Sequence, residues 1–176
     1  PWQEAPAFYQ SLDDKSLPQL ALRLLILTGL RSHPIRNAHL DEMDGDIWTI
    51  PGEKMKGLKG KTPSFRVPLT PEALHVIELA SHQQRDGYIF PGVKRGVISD
   101  ASMARLMERR GLEARPHGFR STLRTWLTES QQASREVAEM IIAHQTGSIV
   151  ERSYNRTDMI DQRREIMKQW ARYLNH

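Results

Sequence analysis

Apolar positions recur along this chain mostly at helical spacing, broken in one stretch by strand-like alternation. The run Leu20-Ala21-Leu22-Arg23-Leu24-Leu25-Ile26-Leu27 is apolar almost all round, which predicts a helix buried on every side. Ser16 stands where it can cap that helix, Pro18 fits its first turn, and Thr28-Gly29 ends it. A short helix around Ala7 to Ser11 precedes it, and a helical turn from Pro34 to Asn37 follows. Thr70-Pro71 starts a helix over Glu72 to Ser81, and Ser99 caps another through Arg110, with Gly111 as its stop. Ser134 caps Arg135 to Ile142, Gly147-Ser148 opens a short helix carrying Tyr154, and Asp158 to Leu174 form the last helix.

The alternating stretch lies between the first two long helices. Leu40 to Met43 and Asp46 to Ile50 read as a hairpin, because Asp44-Gly45 suits a two-residue type I′ turn. Phe65 to Leu69 supplies a third strand after a lysine- and glycine-rich loop from Gly52 to Ser64, and Gly87 to Phe90 reads as a further brief strand. The expected fold class is α+β: a mostly helical single domain with a small three-stranded antiparallel sheet. In the last helix Met159, Ile166, Met167, Trp170, Tyr173 and Leu174 make an apolar stripe opposite Arg164, Lys168 and Arg172. Such a stripe must be covered, by the chain's own domain in a monomer or by a neighbouring subunit.

With 176 residues the chain is long enough for one domain with a proper core. The net charge is +4, and its placement says more than its size. Lys54, Lys56, Lys59, Lys61 and Arg66 cluster against Glu53 alone, while Arg105, Arg109, Arg110, Arg115, Arg120 and Arg124 face only Glu108 and Glu113. A polyanionic partner fits that distribution. Absence of cysteine rules out disulfides and thiolate metal sites, and no apolar run approaches the ~20 residues of a membrane span. The 7 histidines show no zinc spacing, and neither a Walker loop nor a His-Glu-x-x-His motif is present.

Candidate chemistry concentrates between Arg115 and Tyr154. His117 and Arg120 sit at i, i+3 and share one helix face, so they can address one substrate group together. His144 and Tyr154 follow. Arg binds phosphate oxygens bidentately, His moves protons near neutral pH, and a Tyr hydroxyl can attack phosphorus. Taken singly, Tyr154 reads as a half-buried aromatic, His144 as a helix-end histidine, and Arg31 as a surface charge. Type, order and spacing together point to phosphate-ester chemistry.

The pattern resembles the catalytic domain of the tyrosine recombinases, the phage integrase family, and a prophage-type integrase in particular. The family's His-x-x-Arg is His117-Gly118-Phe119-Arg120, its Leu-Gly-His-like step is Ala143-His144, its Thr-Gly-x-Arg turn is Thr28-Gly29-Leu30-Arg31, and its hairpin lysine matches Lys56. One departure is Pro34, where the family commonly carries a Glu bracing the first arginine. The resemblance implies a site-specific recombinase that cleaves and rejoins DNA through a 3′-phosphotyrosyl intermediate on Tyr154. Arg31 and Arg120 would clamp the phosphate, Lys56 would protonate the leaving oxygen, His117 would accept the tyrosine proton, and His144 would hydrogen-bond a phosphate oxygen. It implies no metal and no cofactor. It further implies attachment-site DNA as partner, a homotetramer on DNA from a monomeric isolated domain, accessory bending or directionality factors, a cytoplasmic place of action, and N-terminal DNA-binding domains outside this chain. Lys54, Lys59, Lys61, Arg105, Arg109 and Arg124 are the expected DNA contacts, with the tip lysines otherwise solvated. The alternatives are a type IB topoisomerase-like enzyme and a non-catalytic DNA-binding regulator, which would have no use for a positioned phenol at Tyr154.

Overall fold

The computed structural model describes residues 1–130, 133–144 and 157–176. Tyr154 and the helix expected to open at Gly147-Ser148 lie outside the described residues.

Helix α1 (Ala5–Gln10) leads to α2 (Leu17–Thr28), the axis of the domain. Leu20, Ala21, Leu22 and Leu24 to Leu27 are all buried, as an all-round apolar helix requires. Helices α4 (Pro71–Ser81), α5 (Ser102–Arg109), α6 (Gly118–Glu129) and α8 (Ile160–Leu174) pack around it. Ser16 occupies the expected N-cap position, but its hydroxyl makes no capping bond. The short α3 (Ser32–Arg36) starts two residues before the expected Pro34 and buries that proline within it.

The sheet is β1 (Met43–Asp44), β2 (Ile47–Ile50) and β3 (Phe65–Pro68), antiparallel in that order. Trp48 faces Val67 and Ile50 faces Phe65, and the alternation puts Trp48 and Ile50 in the core. The hairpin turn is one residue later than the Asp-Gly pair suggests: Asp44 pairs with Ile47, so Gly45-Asp46 form the loop. Of that pair only Gly45 has positive φ (57°), the pattern of a II′ turn.

Three further expectations are corrected. Leu40–Glu42 form a 3₁₀ turn and not a strand, because His39 and Glu42 cap it reciprocally and Glu42 also accepts from Trp48 Nε1 at 2.9 Å. Tyr88 makes only isolated bridges to His39 and Arg85, so the segment from Gly87 to Phe90 is not a strand. Ser99 bonds the Ser102 hydroxyl at 2.9 Å, and α5 begins after it at Ser102.

Helix α7 (Arg135–Ile141) starts as expected, with the Ser134 hydroxyl accepting from Val137 N at 3.3 Å. The stripe on α8 docks on its own chain. Trp170 is fully buried, meets the Trp126 ring in a tilted pair at 5.0 Å between centroids and donates Nε1–H to Ile26 O at 2.9 Å. The stripe also takes in Arg163, which the hydrophobic pattern alone does not mark. At 1% exposure its guanidinium lies 4.7 Å from the Phe65 ring and donates to Arg66 O at 2.6 Å and Asp158 O at 3.2 Å. Among the described residues no helix is long and apolar enough to cross a membrane.

Candidate active site

The turn that ends α2 sets the two arginines. Gly29 has φ 67°, and a Cβ there would meet Leu123 Cδ2 at 2.5 Å, so both conformation and space call for glycine. Its amide closes α2 on Leu25 O at 2.8 Å, which leaves its carbonyl free to receive Arg120 Nη1, also at 2.8 Å. Two residues later the chain delivers Arg31 to the same place. Arg120 reaches across from α6, only 5% exposed. Burial, and then the neighbouring Arg31 charge, push its pKa down to about 10, so it stays protonated at neutral pH.

These arginines line a cleft of about 350 Å³ with Leu30, His33, Pro34, Glu53, Lys54, Met55, Lys56 and Ala143. Like charges are brought together here at electrostatic cost, and Glu53 is the one carboxylate among the described lining residues. A cleft of that kind is preorganised for an anion. The expected brace for Arg31 is absent in kind: Pro34 is part of the wall, and no carboxylate among the described residues pairs with Arg31.

Lys56 comes from the loop before β3. Met55 packs partly buried against the core and thereby sends the exposed Lys56 over the cleft. His117 stands at the N-cap of α6. Burial lowers its pKa below the ordinary value of 6.5, and the charges of Arg120, Arg31 and Lys56 lower it further. A histidine so placed is neutral at neutral pH and suited to accept a proton. Thus Arg31, Lys56, His117 and Arg120, far apart in sequence, converge electrostatically.

His144 is bound to a carboxylate that sequence reasoning missed. Glu139 on α7 accepts from Arg124 Nε at 2.6 Å and is bonded to His144 Nδ1 at 2.5 Å. Its only sequence signal is a charge set among Val137, Ala138, Ile141 and Ile142; its partner Arg124 lies on another helix. Ala143 just before His144 has φ 52°, a left-handed conformation at the place of the glycine in the Leu-Gly-His-like step.

The expected DNA contacts divide. Arg105 and Arg109 lie exposed on α5, opposite the buried Met103 and Met107, and Lys59 and Lys61 are exposed on the loop. Arg124 is already engaged, with Glu139 and with the Thr128 hydroxyl. Lys54 is no solvated tip lysine. Its Nζ donates to Asn37 O at 2.7 Å, pairs with the Glu42 carboxylate and lies 5.8 Å from the Tyr88 ring. That network ties the base of the loop to the first strand turn, an arrangement that charge counting does not reveal.

A mostly helical domain whose small sheet holds a basic loop beside an arginine-lined cleft has the architecture of a tyrosine recombinase catalytic domain. Residues 3–160 match the Phage integrase family, and the chain belongs to that family. It is 32% identical to the prophage integrase IntZ of Escherichia coli over 97% of this chain and 43% of that protein. It is 32% identical to the prophage integrase IntA of the same species over 83% of this chain and 36% of that protein. The chain therefore spans less than half the length of these relatives. Among solved structures, the integrase from mycobacterium phage Brujita superposes with a TM-score of 0.70 at 22% identity, covering 98% of this chain and 60% of that one. The Tn1549 transposon integrase in complex with circular intermediate DNA gives 0.59 at 15% identity, over 93% of this chain and 61% of that one. These two likenesses concern the fold.

Proposed function

We propose that this domain cleaves and rejoins DNA strands at attachment sites, integrating or excising a prophage or genomic island as part of a longer protein. The observation that carries the reading is the convergence of Arg31, Lys56 and Arg120 at one cleft, with His117 near enough to feel the charge of all three. A phosphodiester entering it meets two guanidinium groups at its non-bridging oxygens, and these stabilise the extra charge of the pentacoordinate transition state. The neutral His117 takes the proton of Tyr154 as its oxygen attacks phosphorus. Lys56 gives a proton to the departing 5′ oxygen, and His144 donates to a phosphate oxygen. One ester replaces another, so the step needs no ATP, and the organic cations supply the charge that a metal would otherwise bring.

The exposed Arg105, Arg109, Lys59 and Lys61 are the proposed backbone contacts on double-stranded DNA. The cis packing of α8 supports a monomer for the isolated domain, with assembly into a tetramer on DNA, aided by accessory bending or directionality factors, in the cytoplasm. N-terminal DNA-binding domains would provide the rest of site recognition. The test is covalent trapping on a nicked suicide substrate by the full-length protein. Wild type is expected to form a denaturation-resistant adduct, in the presence of chelator as well, and Tyr154→Phe to bind DNA but form none. An adduct on the Phe variant would overturn the assignment.

A further inference from the structure

Glu139 is the buried carboxylate that the proposed reaction leaves unused. It is 8% exposed, and its two oxygens are engaged separately, Oε1 with Arg124 and Oε2 with His144. Burial pushes its carboxyl up, but the Arg124 and His144 hydrogen bonds outweigh burial and hold it below the usual carboxylate range. An ionised carboxylate can only accept, so the proton of the short contact belongs to His144 Nδ1. That settles the tautomer. In the neutral ring Nε2 is then bare and can only accept, and a donating Nε2–H exists solely in the imidazolium form.

We infer that Glu139 is a positioning residue for strand cleavage: it fixes the His144 ring through Nδ1–H, turns Nε2 toward the scissile phosphate and balances the imidazolium that donates there. The geometry favours this over a plain tether. The His144 side chain is 58% exposed, so one ring edge is held while the rest stays accessible. Arg124 is one helical turn beyond Arg120 on α6, so Glu139 also locks the end of α7 to the helix that carries the phosphate-binding arginine. Ligand histidines elsewhere are oriented by carboxylates in the same way. The inference rests on the reading of His144 as a phosphate donor.

The experiment is single-turnover adduct formation by the full-length protein at saturating suicide substrate, with DNA affinity measured alongside. Glu139→Ala is expected to slow cleavage by about 10- to 100-fold. In a His144→Ala background the same change should cost less than about twofold more, because the two residues act as one unit. Glu139→Gln preserves size and guards against misfolding; it should stay folded by circular dichroism at the assay temperature, with a lower thermal midpoint for want of the Arg124 pair, and still cleave slowly, since it lacks the charge. Nitrogen NMR of wild-type His144, identified by its loss in His144→Ala, should show the neutral ring protonated at Nδ1. Equal fold losses in both backgrounds, wild-type cleavage by Glu139→Gln, or a neutral His144 protonated at Nε2 would each overturn the role of Glu139. Wild-type cleavage by His144→Ala would instead remove the underlying reading of His144, and the proposal with it.

Discussion

Arg66 on β3 holds Asp158 with both arms of its guanidinium, Nε to Oδ2 at 2.7 Å and Nη2 to Oδ1 at 2.8 Å. Arg163 completes the link by donating to the backbone carbonyls of the same two residues. The start of the C-terminal helix is thereby fastened to the strand that ends the lysine loop. The Arg66 hydrogen bond holds the Asp158 carboxyl below its ordinary value of 3.8. A depressed folded-state value means that the pair stabilises fully above pH 3.8 and fades as pH falls through the lower folded value. Both side chains are partly exposed, so solvent screening limits the gain to about 0–1 kcal/mol. Asp158→Asn should lose about that much at pH 7 in urea denaturation, with the gap to wild type closing in strong acid. A gap that persists unchanged there would assign the loss to something other than the charge.

Arg120→Lys keeps a positive charge but loses the planar fork that reaches both Gly29 O and the cleft. Single-turnover cleavage by the full-length protein is expected to fall by about 10²-fold or more, as for loss of a transition-state donor. DNA affinity should change far less. Equal losses in the two measurements would place Arg120 in the binding surface.

His117 is held below 6.5 by burial and by the cations Arg120, Arg31 and Lys56. A base of this kind is already neutral at pH 7, so the acid limb of cleavage should lie below pH 6.5. Rates across the acid range, with DNA saturating, check this. An acid limb centred above neutrality would take the proton-accepting role away from His117.

Ala143 occupies a left-handed conformation, φ 52°, immediately before His144. A residue with a Cβ pays about 1–2 kcal/mol there, partly returned by its smaller freedom in the unfolded chain. Ala143→Gly should therefore stabilise the protein by up to about 1 kcal/mol in urea denaturation. Destabilisation would mean that the methyl group, which lines the cleft, contributes more by packing than the backbone loses by strain.

What the sequence determined by itself is what local rules and residue order carry. The all-round apolar run from Leu20 to Leu27 dictated a buried central helix, and alternation marked the strand holding Trp48 and Ile50. The order Arg31, Lys56, His117, Arg120 pointed to one site, because those residue types in that succession mark the family to which the chain belongs; in the fold Arg31, Lys56 and Arg120 line one cleft and His117 feels their charges. The hairpin turn slipped by one residue, since Asp44-Gly45 and Gly45-Asp46 are both good turn pairs and only cross-strand pairing chooses between them. Charge was least legible, because a cation's partner is set by packing. Lys54 and Arg124 look like free basic residues along the chain. In the fold the first meets Glu42 and Asn37, and the second meets Glu139, which in turn takes His144. Arg163 carries no apolar signal in the sequence, yet the fold buries it because Phe65 and two backbone carbonyls are there to receive it. Which charges are left to meet an anion was decided only by the tertiary structure, since burying any of the others requires a partner from a distant element.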